Sequence, residues 1–315
     1  MPAVTPRDRV RRRPSGFTLI EVMVALVLLG LVVGALLTVV MHQQRFYDSA
    51  SEVMEVRDNL RRTGDLLPSE LRALAPRYGD IYAMSDSAID FRSATGSSTI
   101  CEFSNNRTMI IVPPTQLQTD AGLTSWLVRP VMSDSMFIFD SRDAGIDTMI
   151  GRGISAAPAA GSCAITSGFT STSAEVNASV TFLLDSALPP SVPAGAPVRF
   201  FRRARYSLYR NPNDEFWYLG YRDFVPGRNP QWSAIQPVAG PLLPYNAQGA
   251  SGLRFIYRDS AGTVLTSGAD APRVRRIDIE VRARSRAIVR AMGMTTNGAG
   301  LYTDSLFTSV ALRNH

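Results

Sequence analysis

The pattern of hydrophobic and polar positions changes twice along the chain, and each part predicts a different kind of element. Residues 17–41 form an almost unbroken apolar run in which Glu21 is the single charged residue. As a helix, this run would be roughly 37 Å long, which is enough to cross a hydrocarbon core of about 30 Å. The pattern therefore predicts a transmembrane helix over residues 17–41.

The following segment has the spacing of an amphipathic helix. Seven apolar residues recur at intervals of three, four or seven positions, so they share one helix face. Charged residues occupy most of the other positions, and we predict that the helix continues over residues 42–75. Gly64 and Pro68 predict a break or kink in its last turns. The apolar face comprises Phe46, Val53, Val56, Leu60, Leu67, Leu71 and Leu74.

From residue 76 onwards, short apolar or alternating runs are separated by clusters of Gly, Pro, Ser, Asn and Asp, which is typical of strands and turns. We predict a β-rich globular head over residues 76–315. The fold class is then α+β, with a long N-terminal helix packed on a large antiparallel sheet. Strands are predicted over residues 87–92, 99–103, 108–112, 135–140, 180–184, 198–209, 216–221, 253–258 and 276–284.

Turn residues define the connections between some of these strands. Residues 211–214 read Asn-Pro-Asn-Asp and predict a hairpin between the strands on either side. Residues 259–262 predict a second turn. The segments 156–175 and 186–197 are rich in small residues and in Pro, respectively, and are predicted to be loops.

Composition argues against several classes of chemistry. All 33 basic residues are Arg, so the chain has no lysine for a Schiff base or a P-loop. The two histidines, His42 and His315, are too few and too peripheral for a Ser-His-Asp triad or a His-rich metal site. We therefore predict no enzyme activity, no catalytic residues, no metal site and no cofactor.

Two weaker candidates for ligand binding remain in the head. Asp140, Asp143 and Asp147 could supply oxygen ligands to Ca²⁺, but their spacing does not match an EF-hand loop and favours a polar turn. Trp126 and Trp232 could contact a ligand, but we expect both to pack in the core.

The net charge of +6 is concentrated in two places. Residues 1–16 contain five Arg and one Asp, which predicts a cytoplasmic N-terminus by the positive-inside rule. Residues 273–290 contain seven Arg and two acidic residues. This second block could bind phosphates, but its alternation with apolar residues favours a solvated sheet face, so we do not expect a nucleic-acid partner.

A basic start followed by an apolar run is also the pattern of a cleaved secretory signal. The run is longer than a typical signal core, however, and no A-x-A site directly follows it. An uncleaved signal anchor stays open, and it would make the head a membrane-anchored binding module or hydrolase.

The junction between the basic start and the apolar run is specific. Residues 15–22 read Ser-Gly-Phe-Thr-Leu-Ile-Glu-Val. This segment resembles the processing site of type IV prepilins and type II secretion pseudopilins. The resemblance implies that a prepilin peptidase cuts between Gly16 and Phe17, that residues 1–16 are a removed leader, and that Phe17 is then N-methylated.

The resemblance also implies a role for Glu21, the fifth residue of the processed chain. Its carboxylate would neutralise the N-terminal amine of a neighbouring subunit, since two opposite charges in a low-dielectric helix bundle compensate each other. Gly30 and Gly34 form a G-x-x-x-G pattern, which indicates either close packing of membrane helices or ordinary glycine use.

Cys101 and Cys163 would lie in an oxidising compartment if the head is periplasmic. An even number of cysteines in such a compartment favours a disulfide. The alternative is two unpaired buried cysteines.

The C-terminal residues 305–314 resemble the last strand of PilW-type minor pilins, and a head of about 240 residues suits a minor subunit. The resemblance implies a single-pass inner-membrane protein with a periplasmic head, which joins or primes a type IV pilus-like filament at its tip. Its implied partners are the prepilin peptidase, other pilin or pseudopilin subunits, the inner-membrane assembly platform and membrane lipid. A minor pseudopilin of type II secretion is the alternative.

Overall fold

The computed structural model describes residues 18–116, 122–141, 147–227, 229, 231–289 and 300–312. In this part of the chain a long helix precedes a large head built of antiparallel strands, which confirms the predicted α+β class. The chain divides into two compact units, one of residues 1–53 with 287–302 and one of residues 54–286 with 303–315.

The first helix, α1, spans Leu19–Leu71 without a break. Of the predicted break or kink at Gly64 and Pro68, the break is therefore wrong, because Pro68 lies inside the continuous helix, and the kink stays a prediction. A proline inside a helix costs about 3 kcal/mol, whereas burying two leucine side chains contributes about 3–6 kcal/mol. Leu67 and Leu71 are both fully buried on either side of Pro68, so packing outweighs the proline.

The C-terminal part of α1 packs on the sheet through the predicted apolar face. Val56, Leu60, Leu67 and Leu71 are at most 5% exposed. Gly64 lies against the Leu306 side chain so closely that an added Cβ would overlap it. The predicted apolar helix face is therefore confirmed at Val56, Leu60, Leu67 and Leu71.

Four further helical segments in the described residues are short. They are the 3₁₀ segments Pro76–Tyr78, Ile165–Ser167 and Gly268–Arg273, and the helix α2 at Ser173–Asn177. The side chain of Thr172 caps α2 by accepting a hydrogen bond from the Glu175 amide at 3.3 Å. The strands are β1 (Ile81–Met84), β2 (Ala88–Thr99), β3 (Glu102–Ser104), β4 (Met109–Val112), β5 (Ser125–Trp126), β6 (Ser135–Ser141), β7 (Asp147–Gly153), β8 (Ala159–Ala160), β9 (Val180–Leu183), β10 (Pro197–Arg210), β11 (Trp217–Asp223), β12 (Gln236–Leu242), β13 (Leu253–Arg258), β14 (Val264–Leu265), β15 (Arg276–Val289) and β16 (Gly300–Ala311).

The strands form two sheets in the described residues. The larger has twelve strands, with the central order β1-β2-β10-β11-β12-β15-β13-β14. Strand β16 pairs with β15, β5 pairs with β2, and β6 pairs with both β10 and β7. The smaller sheet has the order β3-β4-β9-β8. One buried cluster includes residues of β4 and β9 from the smaller sheet and of β6 and β10 from the larger.

The two faces of the larger sheet differ in chemistry. On β2, Phe91 and Ser93 lie on the face that packs on α1: Phe91 stacks on Tyr206, and the Ser93 hydroxyl donates to Oε2 of Glu70 at 3.2 Å. Successive residues of a strand point to opposite faces. The intervening Asp90 therefore belongs to the other face, which we call the outer face.

The turn predictions are confirmed. Strands β10 and β11 form a hairpin with Arg210 opposite Trp217, and residues 211–214 lie in the connection. Strands β13 and β14 are antiparallel neighbours joined through Gly262, whose φ of 84° requires the left-handed conformation that glycine adopts freely. The predicted strand at 99–103 is divided, because β2 ends at Thr99 and β3 begins at Glu102.

A disulfide joins Cys101 and Cys163 in the structure, with their Cα atoms 5.9 Å apart. Both residues are buried and pack together with Ile111 and Phe169. The bond closes a loop with a sequence separation of 62 residues, which contains most of the smaller sheet.

Candidate functional site

A reciprocal pair of hydrogen bonds closes the N-terminal end of α1. The backbone amide of Thr18 donates to Oε2 of Glu21 at 3.4 Å, and the amide of Glu21 donates to Oγ1 of Thr18 at 3.3 Å. This is a capping box, in which Thr and the Glu three residues later satisfy two amides that a helix end leaves without acceptors. Glu21 thus has a partner within its own chain.

The turns after Glu21 present apolar side chains to the surroundings. Every residue from Leu19 to Met41 is exposed, and Leu19 reaches 81%. Apolar surface of this extent marks a membrane or partner-helix contact. The helix α1 is long and apolar enough to cross a membrane, which fits anchoring of the chain in a membrane.

Gly30 and Gly34 lie within this exposed stretch. A Cβ built on either residue meets no other atom within 4 Å. The backbone is therefore accessible to a neighbouring helix at both positions, and close packing there stays a prediction.

Gly16 and Phe17, the predicted cleavage site, lie outside the described residues. The five leader arginines and Asp143 also lie outside them. Cleavage and methylation stay predictions from the sequence.

The acidic residues considered as Ca²⁺ ligands belong to a strand pair. Asp140 is on β6, is buried, and accepts a hydrogen bond from the Ser191 hydroxyl at 3.1 Å. Asp147 begins β7, where it pairs with Ser141. Among the described residues, no group of three His, Cys, Asp or Glu side chains could hold a metal ion.

The basic block 273–290 is largely neutralised in the described structure. Four of its six described arginines form ion pairs with acidic residues that lie beside them in space, which agrees with a solvated sheet face. The predicted inward positions Ile277, Ile279, Val281 and Ala283 are all buried. The pairs are Arg273 with Asp259 and Asp270, Arg276 with Asp278, Arg282 with Glu280, and Arg286 with Glu55.

A cavity of about 900 Å³ opens on the head, with Phe137, Phe201 and Leu127 in its lining. Asp80 also lines the cavity, and its carboxylate forms an ion pair with Arg92. Burial raises the pKa of Asp80, while the Ala75 amide and Arg92 oppose that shift. Asp80 is the one carboxylate among the described lining residues, whereas a glycosidase site requires two.

The two tryptophans considered as ligand contacts have different environments. Trp126 packs against Phe200 in the core with ring centroids 6.3 Å apart, as expected. Trp232 is half-buried, as Trp126 is, but its ring packs against Phe224 and guanidinium groups on the outer face, so the expectation of core packing is wrong there. It contacts three guanidinium groups on the outer face, those of Arg203, Arg205 and Arg222.

Sequence reasoning missed this arginine cluster because its members come from two strands and a loop. The Arg-Ala-Arg alternation at residues 203–205 was the available signal, since it places two arginines on one strand face. Arg222 and Trp232 could be added only once the strand register was known.

Residues 11–37 match the family model described as the prokaryotic N-terminal methylation motif. The match covers the predicted cleavage site, Glu21 and the exposed apolar turns of α1. No curated protein and no solved structure matches the chain.

Proposed function

Because its N-terminal methylation motif supports the type IV pilin and pseudopilin superfamily, we propose that this protein is a minor pilin that joins or primes a pilus-like filament near the tip. The motif carries this proposal. The exposed apolar helix Leu19–Met41 and the large β-rich head support it, because a bulky head packs more easily at a filament end than at every position along it.

Maturation would begin on the cytoplasmic side of the inner membrane. A prepilin peptidase hydrolyses the peptide bond between Gly16 and Phe17, which leaves a carboxylate on Gly16 and a free amine on Phe17. A methyl donor then transfers a methyl group to that amine in place of one proton. The head stays on the periplasmic side, where the Cys101–Cys163 disulfide is stable.

Assembly would move the apolar part of α1 from lipid into a bundle of sister helices. The carboxylate of Glu21 would leave its capping position and pair with the N-terminal amine of a neighbour. Each charge is costly alone in an apolar bundle, and the pair compensates both costs. Gly30 and Gly34 would allow a neighbouring helix to approach the backbone closely.

The first test is the mass of the N-terminal peptide after membrane extraction, with and without a co-expressed prepilin peptidase. We expect a chain that begins at methylated Phe17 only when the peptidase is present. A Gly16→Val variant should keep residues 1–16, and Gly30→Ala, outside the cleavage site, should be processed normally. An intact start, or a cut beyond residue 41, would contradict the proposal and favour an anchored domain.

A minor pseudopilin of type II secretion would give the same processed mass. Cross-linking of the processed protein in cells that contain both kinds of filament separates the two functions. Cross-links to pilus subunits are expected. Cross-links confined to secretion pseudopilins would replace the proposed filament with the alternative one.

A further inference from the structure

A row of charged side chains crosses three neighbouring strands on the outer face of the larger sheet. Asp90 on β2 is in register with Arg205 on β10, and Arg205 is in register with Arg222 on β11. Like charges directly opposite each other on neighbouring strands destabilise a sheet. The repulsion between Arg205 and Arg222 therefore has to be offset by a nearby negative charge.

Asp90 neutralises only part of the positive charge of these arginines. Its side chain is 1% exposed and accepts hydrogen bonds from Arg205 and from Arg203, whose Nη2 lies 2.8 Å from Oδ2 of Asp90. One carboxylate thus serves two guanidinium groups. With Arg222 included, three positive charges surround a single negative one.

The side chain of Arg222 has no ion pair and no hydrogen bond in the part of the chain that the structure describes. Its Nε atom is buried without an acceptor, and the same holds for Nε of Arg203. Buried donors of this kind almost always have a partner. Burial and the neighbouring Arg205 lower the pKa of Arg222, while Asp90 opposes that shift.

Trp232 completes the cluster from the connection between β11 and β12. Its ring centroid lies 4.5 Å from the Cζ atom of Arg205 and 5.0 Å from that of Arg222. Phe224 packs edge-on against it at 5.5 Å. Half-buried Trp and Arg side chains beside each other are typical of the few residues that dominate a protein–protein interface.

We propose that Arg203, Arg205, Arg222 and Trp232 form a docking site for a carboxylate side chain on an acidic segment of a partner protein. The incoming carboxylate would accept hydrogen bonds from Arg222 and offset the excess positive charge. An apolar neighbour of the acidic residue would cover Trp232 and Phe224. This deepens the proposed function, because it names the chemistry by which the head would hold another subunit.

The geometry favours a protein over a nucleic acid. The cluster already holds one carboxylate, that of Asp90, which accepts hydrogen bonds from Nε and Nη2 of Arg205. Planar guanidinium groups match carboxylates in this two-point fashion. Nucleic acids instead need several phosphate contacts along a strip of free cations. Here Arg222 is the single arginine of the cluster without an acidic partner.

The test uses the full-length protein in a non-ionic detergent and a fluorescein-labelled oligoglutamate peptide, with anisotropy as the readout. We expect Arg222→Gln to weaken peptide binding about tenfold or more, as loss of a two-point charged contact does. Arg199→Gln is the matched control: Arg199 is an exposed arginine on the same strand, β10, and its loss changes the net charge equally. It should change the affinity less than about twofold.

Arg222→Lys keeps the charge and loses the planar fork, so its affinity should lie between those of the wild type and Arg222→Gln. This conservative variant also supports the test if Arg222→Gln does not fold. Equal weakening by the position-222 and position-199 variants would mean non-specific attraction and would overturn the proposal. It would also be overturned if labelled oligothymidylate, rather than the peptide, lost affinity specifically in Arg222→Gln.

Peptide binding requires neither leader removal nor a filament. A failure of this test therefore leaves the proposed pilin function intact, and a failure of processing leaves the docking site intact.

Discussion

At the scale of single residues, the proposed function would give the Glu21 side chain a second role besides capping α1. In the single chain its carboxylate accepts a hydrogen bond from the Thr18 amide and caps α1. In a filament, the same carboxylate would pair with a neighbour's amine under the proposed function. The two roles differ in what they require, since capping needs an acceptor oxygen and pairing needs a negative charge.

Glu21→Gln separates these roles, because glutamine can complete a capping box but carries no charge. We expect Glu21→Gln and Glu21→Val both to be processed and both to fail in assembly, as judged by the amount of the protein in sheared filaments. Normal incorporation of Glu21→Gln together with loss of Glu21→Val would show that capping, not charge pairing, is the requirement.

At the scale of elements, the contact between α1 and the sheet contains an acidic group in an apolar setting. Glu70, in the last turn of α1, lies beside Ser93 of β2 and near Tyr206 of β10 and Tyr221 of β11. Burial raises the pKa of Glu70 above its ordinary 4.5, and the Ser93 hydroxyl opposes that shift. The folded protein therefore binds the Glu70 proton more tightly than the unfolded chain does.

The consequence is a dependence of stability on pH with a defined sign. Stability falls as pH rises from the ordinary pKa of Glu70 through its raised value in the folded state, and the full penalty is present above that raised value. Glu70→Gln removes the charge and keeps an acceptor for Ser93, so it should raise the thermal midpoint by a few degrees at pH 7. The difference from the wild type should vanish below pH 4.5.

Thermal unfolding followed by circular dichroism across this pH range is the measurement. Asp65→Asn, an exposed acidic residue of the same helix, is the control and should shift the midpoint little. A Glu70→Gln midpoint equal to or below that of the wild type at pH 7 would contradict the buried-charge account.

At the scale of the whole molecule, the disulfide closes a long loop within the head. Cys101 and Cys163 enclose the strands from β3 to β8. In the loop-entropy model, closing a loop of this length restricts the unfolded chain and stabilises the fold by about 4 kcal/mol.

The double variant Cys101→Ser with Cys163→Ser should therefore have a free energy of unfolding about 4 kcal/mol lower, measured by urea titration of the full-length protein in detergent. Reductant should shift the wild-type curve towards that of the variant and leave the variant unchanged. Identical curves for oxidised wild type and double variant would argue against a stabilising bond.

Local patterns were sufficient for much of this fold and for its N-terminal motif. Strand β13 coincides with its predicted bounds, and β15 buries the four predicted positions, because strict alternation on one strand needs no knowledge of its neighbours. The residues Gly16, Phe17 and Glu21 form one continuous motif, which a family model also matches.

Features that depend on pairing could not be predicted in this way. Strand β12 contains Pro237 and Pro241, which argue against a strand in sequence, and its place between β11 and β15 is set by tertiary packing. Tertiary packing is also the reason that α1 continues through Pro68 without a break. The Asp90–Arg205–Arg222 row exists only through the register of three strands, two of them more than a hundred residues apart in the chain.

The exposed apolar surface of α1 has a consequence for the reversibility of assembly. If residues 19–41 pass from lipid into a bundle of similar helices, apolar groups are exchanged for apolar groups, and the hydrophobic effect contributes little to the direction of the transfer. The free energy of assembly then depends on small contributions, such as one ion pair at Glu21 and close helix packing at Gly30 and Gly34. A filament held together by such a helix bundle can disassemble, and its subunits can return to the membrane from which they came without unfolding.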